Sequence, residues 1–262
     1  LVARILIAVL FLSALPAWGG QARQLCLSCH PVHYAGRGGC SDCHLGNPAA
    51  ARKNIAHAGL RAGKYACFIL GNVTLNRAGE QLLEQLACRR CHVSGGRGNR
   101  LAVNLDVAAV SRTADELVRS IKHPVANMPD FALSDEQVTT LVNALLAGSQ
   151  GRHSMGGAPE KVHFSTSGAK KTDIFSAKCG SCHRLLSQRL AALGTGGVGP
   201  NLSGLLSPYY PKTFRSGEAW SSNKLALWLK NPRAIRSGGR MQPVILTGAE
   251  LKELEALMHV YS

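Results

Sequence analysis

Apolar positions along the chain fall into three patterns. From Ile5 to Leu15 they run almost unbroken behind Arg4, and small residues follow at Ala17, Gly19, Gly20 and Ala22. A basic start, a short apolar run and a small-residue exit predict a secretory signal over residues 1–22. The run is shorter than a membrane-spanning helix needs, and no second long apolar run follows. Residues 23–75 carry neither helical nor strand periodicity at their start. Gly36, Gly38, Gly39, Gly46 and the Asn47–Pro48 pair predict loops and short turns, with one short helix around Lys53–His57.

Beyond residue 75 the spacing becomes helical. Asn76 predicts a cap for a helix carrying Leu82, Leu83 and Leu86 into Cys88. Thr113 and Glu116 are spaced as a capping box ahead of Leu117, Val118 and Ile121. Ser134 and Gln137 repeat the box, Leu133 and Val138 have the spacing of a hydrophobic staple, and Leu141, Val142 and Leu145 continue the face. Residues 150–168, with His153, Met155 and His163, are poor in apolar positions and read as a solvated linker. The same order then returns over 169–262. Thr172 predicts the start of a helix carrying Ile174 and Phe175 into Cys179. Leu225, Trp228 and Leu229 share a face before Asn231–Pro232. Thr247 and Glu250 give a third box, Leu246 and Leu251 a second staple, and Leu254, Leu257 and Met258 the closing helix. The predicted fold is therefore mainly α: a loop-rich segment over 23–75, a helical domain over 76–149 and a second helical domain over 169–262.

Composition changes this picture in two ways. Only 5% of the 262 residues are aromatic, against a hydrophobic share of 45%, so small domains need another source of flat apolar mass. The formal net charge of +15 points to acidic partners or acidic membrane surfaces, bound peripherally. No interleaving of aromatic and basic residues supports a nucleic-acid surface.

The cysteines supply the missing mass. Eight of the nine lie in Cys-X-X-Cys-His repeats: Cys26–Cys29–His30, Cys40–Cys43–His44, Cys88–Cys91–His92 and Cys179–Cys182–His183. Two thiols on one short turn add to the vinyl groups of a haem, and the adjacent histidine reaches the iron. Zinc ribbons also use paired CxxC units but require no trailing histidine, and here every copy has one. The expected cofactor is therefore four covalently bound haem c, whose propionates offset part of the positive charge. Nine residues separate His30 from Cys40, too few for a separate fold around each of the first two haems. His33 and His57 are candidate second ligands of that pair. His33 could reach haem 2 and His57 could close haem 1, but the spacing leaves open which serves which. The ninth cysteine, Cys67, stands in an apolar run and reads as a small buried hydrophobe, a free reactive thiol being the alternative.

Two further matches organise the back of the chain. Met128 lies six residues before Ser134, and Met241 six residues before Thr247. Gly194–Gly199 fits the glycine pattern of dinucleotide-binding turns, but it follows CxxCH rather than joining a strand to a helix. The segment with Pro208-Tyr209-Tyr210-Pro211 reads as a solvated loop, with a docking surface as the alternative.

The four motifs and their setting resemble those of bacterial multihaem c-type cytochromes. The last two-thirds resemble two class I cytochrome c domains in tandem, and the first third the close haem pairs of small multihaem cytochromes. A further resemblance is to cytochromes of selenite and tellurite reduction systems. The resemblance implies that Met128 and Met241 are the sixth ligands of haems 3 and 4, with His123 the alternative for haem 3. It also implies that the Pro200 carbonyl accepts a hydrogen bond from His183, a role that Val103 would take for His92. With His30, His44, His92 and His183 proximal, and His33, His57, Met128 and Met241 distal, no iron would stay open. The expected role is an electron relay in the periplasm or on the outer cell surface, working with acidic redox partner proteins. The alternatives are a peroxidase or oxyanion reductase with one open iron, and a structural haem-chain subunit.

Overall fold

The computed structural model describes residues 25–71, 73–125, 127–152 and 173–261. The expected signal over 1–22, most of the expected linker with His153, Met155 and His163, and the expected cap Thr172 lie outside the described residues. The chain divides into two compact units, residues 1–60 and 61–262. The described residues form ten helices and two small hairpins, so the fold is mainly α. Among them no helix is long and apolar enough to cross a membrane.

In the first unit a 3-10 turn, Leu25–Ser28, is followed by α1, Cys40–His44, and α2, Lys53–Ala56. Backbone bonds tie the loops together: Leu25 N–H donates to Pro48 O at 2.8 Å and Asn47 N–H to Ala56 O at 2.9 Å. Gly46 has φ +76°, and a Cβ there would stand 2.5 Å from Ala56 O, so the turn needs glycine. None of the described residues of this unit is buried, while Leu27, Val32, Tyr34, Leu45, Ile55 and Leu60 are large, apolar and exposed. The described residues of so short a segment, with so many uncovered apolar side chains, form no core of their own.

The second unit holds two hydrophobic cores. The first is built by α3, Val73–Gln85, α4, Leu105–Ser111, α5, Ala114–Lys122, and α6, Asp135–Gly148. Leu83, Leu117, Val138, Leu141, Val142 and Leu145 are buried in it. Burying each such side chain fully contributes about 1.5–3 kcal/mol. Thr113 and Ser134 cap α5 and α6 through complete capping boxes, as the spacing predicts. Asn76 does not cap α3. The helix begins at Val73 and Asn76 lies inside it, its Oδ1 without a hydrogen-bond partner. Packing against α6 extends the helix past the local signal. The closest approach is at Gly79, where a Cβ would stand 2.5 Å from Ala144 Cβ.

Tyr65, Phe68 and Ile69, grouped with the loop-rich segment in the sequence, pack in this core. Tyr65 and Phe68 are buried in it, and Asn143 on α6 accepts from Phe68 N–H at 3.1 Å while donating to Lys64 O at 2.7 Å. Cys67 is half-buried rather than buried, its thiol directed at Gly63 O at 3.6 Å.

The second core gathers α7, Ile174–Lys178, the hairpin of β3, Leu185–Ser187, with β4, Ala191–Leu193, and then α8, Ser222–Lys230, α9, Pro232–Ile235, and α10, Gly248–Met258. A minimal hairpin of β1, Val93–Ser94, and β2, Arg97–Gly98, stands just behind the third motif. Asp173 caps α7 by accepting from Ser176 N–H at 2.8 Å. Thr247 and Glu250 close the expected box on α10. The segment after Pro200 is not solvated: Leu205, Tyr210 and Phe214 are buried, and Tyr210 O–H donates to Asn201 O at 3.2 Å.

Candidate functional site

Three of the four motifs share one backbone turn. The second cysteine N–H donates to the first cysteine O at 3.2 Å in Cys26–Cys29, 3.2 Å in Cys88–Cys91 and 3.1 Å in Cys179–Cys182. The histidine N–H donates to the same carbonyl at 3.0, 3.0 and 2.9 Å. The remaining motif, Cys40–Cys43–His44, is itself α1. Each repeat is thus a single turn carrying two thiols outside any disulfide and an imidazole. Among the described residues no group of three or more His, Cys, Asp or Glu side chains is arranged to hold a metal ion, as paired zinc-ribbon motifs would be.

The third motif is the most completely built. Ala87 takes a left-handed conformation, φ 51°, which breaks α3 and turns the chain into Cys88. Arg89 folds back, only 2% exposed, and donates to Glu80 at 2.8 Å and Glu84 at 2.5 Å, both on α3, and to Ser94 O at 3.0 Å. Burial pushes the Cys88 thiol up to about 11 and raises that of Cys91 as well, so both stay protonated at neutral pH. His92 Nδ1–H donates to Val103 O at 2.7 Å. Its pKa is held below the ordinary 6.5 by burial, which outweighs that bond. A neutral ring with its proton on Nδ1 presents Nε2 as an unprotonated ligand.

A cavity of about 640 Å³ opens beside this histidine. Cys88, Cys91 and His92 stand in its wall together with Met128, and the α-helical core supplies Leu83, Leu117 and Leu141. His123 also lines it, so the alternative distal ligand shares the space. Arg90, Arg100 and Arg112 add positive charge to the wall. The lining includes Leu186, Ala191 and Ala192, so the β3–β4 hairpin of the fourth-motif half helps close the third-motif cavity. Thiols, imidazole and thioether around one apolar space with basic groups fit a covalently attached haem with its propionates.

At the fourth motif, His183 is 8% exposed and its Nδ1–H donates to Pro200 O at 2.8 Å, the bond the resemblance implied. The glycine run before it has a local explanation. A Cβ at Gly199 would stand 2.2 Å from His183 Cε1, one at Gly194 2.2 Å from His183 O, and one at Gly196 2.4 Å from Ser181 O and from Cys182 C. These glycines let the loop close directly over the motif. Burial pushes the Cys179 thiol up to about 11. Met241 packs against the core that contains Cys179, and Trp228 Nε1–H donates to its Sδ at 3.0 Å.

In the first unit the four histidines fall into two pairs. His33 Nε2 lies 3.3 Å from His44 Nε2. The His30 and His57 rings stand with centroids 6.0 Å apart. Metal–imidazole bonds of about 2 Å need ligating nitrogens about 4 Å apart, and His33 and His44 stand near that separation. The spacing left the partners open; the geometry places His33 with His44 and His57 with His30.

Sequence reasoning missed three contributors. Asp106 accepts from Gly95 N–H at 2.7 Å and Gly96 N–H at 2.8 Å and fixes the turn behind His92. The β3–β4 hairpin has no turn signal, since Ala191 rather than glycine takes its positive φ. Arg90 and Asn201 meet across the two halves of the second unit, Arg90 Nη1–H donating to Asn201 O at 3.1 Å.

Residues 74–143, a little over a quarter of the chain, match the family described as cytochrome C oxidase, cbb3-type, subunit III. No curated protein and no solved structure matches the chain. The family match supports a c-type cytochrome domain around the third motif, with covalently bound haem c and haem-based electron transfer.

Proposed function

We propose that the chain is an exported tetrahaem c-type cytochrome, in the periplasm or on the outer cell surface, that relays electrons between redox proteins. The observation that carries this reading is the cavity in which Cys88, Cys91, His92 and Met128 face one apolar space. The repetition of the same cysteine–histidine turn at the other motifs extends it to four centres. The apolar run over Ile5–Leu15 supports export.

When bound, haem c would supply a reversible one-electron iron couple at each centre. The thioether bonds would form at Cys26 and Cys29, Cys40 and Cys43, Cys88 and Cys91, and Cys179 and Cys182. His30, His44, His92 and His183 would ligate from one side. His57, His33, Met128 and Met241, in the same order, would ligate from the other. Val103 and Pro200 orient two of the proximal rings through their carbonyls. A full ligand set keeps small molecules off the metal, which suits a carrier rather than a catalyst. The net charge of +15 favours partners with acidic docking faces.

Intact mass of the denatured, matured protein tests the count. The expected result is four haem additions, with Cys88→Ala/Cys91→Ala removing one. Three or fewer additions to the fully matured chain would sink the reading of all four motifs. Electron paramagnetic resonance of the oxidised protein then separates carrier from catalyst: only low-spin signals are expected, and a high-spin centre argues for an open site.

A further inference from the structure

The two halves of the second unit meet at the residue following Pro200. Asn201 O accepts from Arg90 Nη1–H at 3.1 Å and from Tyr210 O–H at 3.2 Å. Arg90 stands between Cys88 and Cys91, and its guanidinium also lies over the Tyr210 ring, 5.6 Å from the centroid. The adjacent loop comes close to the same motif: a Cβ at Gly204 would stand 2.5 Å from Arg90 O. The side chain of Asn201 points elsewhere. Its Nδ2–H donates to Asn127 O at 3.1 Å, the carbonyl immediately before Met128.

The orientation of that amide is determined. Oδ1 accepts from Ser203 N–H at 2.9 Å and from Ser203 O–H at 2.6 Å, and Ser203 is fully buried. Two donors on Oδ1 leave Nδ2 to face the Met128 loop, and a flipped amide would set N–H against N–H. Pro200 and Asn201 therefore do two different things. Pro200 O orients the proximal His183 of the fourth centre, while Asn201 reaches across to the distal loop of the third.

We propose that Asn201 is a positioning residue for Met128, so that the proximal loop of the fourth motif holds the distal ligand of the third. The proposal rests on the reading of Met128 as a haem ligand. Among the described residues, Met128 N–H donates to Val125 O at 2.9 Å, a bond within the turn itself that does not tie the loop to the rest of the unit. Loss of the Asn201 donor leaves the Asn127 carbonyl without this partner and frees the loop, weakening a ligand bond that depends on placement.

The test uses the full-length, haem-loaded protein and the weak near-infrared band of sulfur-ligated ferric haem. Asn201→Thr retains an oxygen for Ser203 and loses the donor toward Asn127 without adding charge. With two methionine-ligated centres, Asn201→Thr and Met128→Ala should each cut the band to about half. In a Met241→Ala background, Asn201→Thr should abolish it. Haem count and far-ultraviolet circular dichroism should stay at wild-type values, which separates positioning from general unfolding. Asn201→Ser carries the same expectation and is used if the threonine variant does not fold. A band kept in the Met241→Ala/Asn201→Thr protein but lost on Met128→Ala overturns the positioning role alone. A band unaffected by Met128→Ala overturns the ligand assignment, and the positioning role with it.

Discussion

At residue scale, the site depends on atoms with no side-chain chemistry of their own. His92 and His183 are oriented by the carbonyls of Val103 and Pro200, and proline matters there only as the residue whose oxygen is in place. Gly199 shows the same dependence in reverse. Its missing side chain makes room for the His183 ring, since a Cβ would stand 2.2–2.8 Å from three of its atoms. Gly199→Ala should therefore displace the ring or the loop, at an overpacking cost of about 1–3 kcal/mol. The expected outcome is weakened or absent haem at Cys179 and Cys182 with the other centres retained, read by mass spectrometry of proteolytic peptides. An unchanged fourth centre would mean the loop yields freely and does not clamp the ring.

At the scale of elements, α3 and α6 decide where the third motif stands. α3 delivers Cys88 through the left-handed Ala87, and α6 fixes α3 by close contact at Gly79. Local propensity argues for alanine at position 79, by about 1 kcal/mol in an exposed helix interior. Here a Cβ would meet Ala144 Cβ at 2.5 Å and Thr140 O at 2.7 Å, both part of the facing helix. Gly79→Ala should lower stability by about 1–3 kcal/mol net, because backbone and core atoms must move apart. Chemical denaturation checks this, and a stabilised variant would show that propensity outweighs packing there. The capping boxes of α5, α6 and α10 were legible from residue spacing because their bonds join residues three apart. The start of α3 was not, since a helix extended by tertiary packing overrides a local cap.

For the whole molecule, the proposed ligand set implies a gradient of potential. Imidazole pairs, His30 with His57 and His33 with His44, occupy the first unit, whereas the methionines belong to the second. Axial methionine raises a haem potential relative to a second histidine, because thioether favours ferrous iron. Spectroelectrochemical titration of the intact protein should resolve a low-potential pair and a high-potential pair. Met128→Ala and Met241→Ala should each draw down the high pair only, and His33→Ala or His57→Ala should alter the low pair. Reversal of that order would count against bis-histidine ligation in the first unit. The positive surface raises all centres in the same direction, so the ligand difference is expected to dominate within one chain.

What the sequence determined by itself is what depends on neighbours along the chain. One turn brings Cys, Cys and His together, so each CxxCH motif gathers its three side chains without a fold, and three-residue spacing names the caps. The equal distance of Met128 and Met241 from their capping residues marked both as related loops. Tertiary structure alone decided which groups from distant segments meet. It joined His33 to His44 and His57 to His30, placed Tyr65 and Phe68 in the α3–α6 core, and brought the β3–β4 hairpin to the wall of the third cavity. It also set Asn201 against Asn127, seventy-four residues away along the chain. Such contacts leave no spacing in the sequence because they arise when separate hydrophobic faces are buried together, and a single hydrogen bond between remote residues has no periodicity to read.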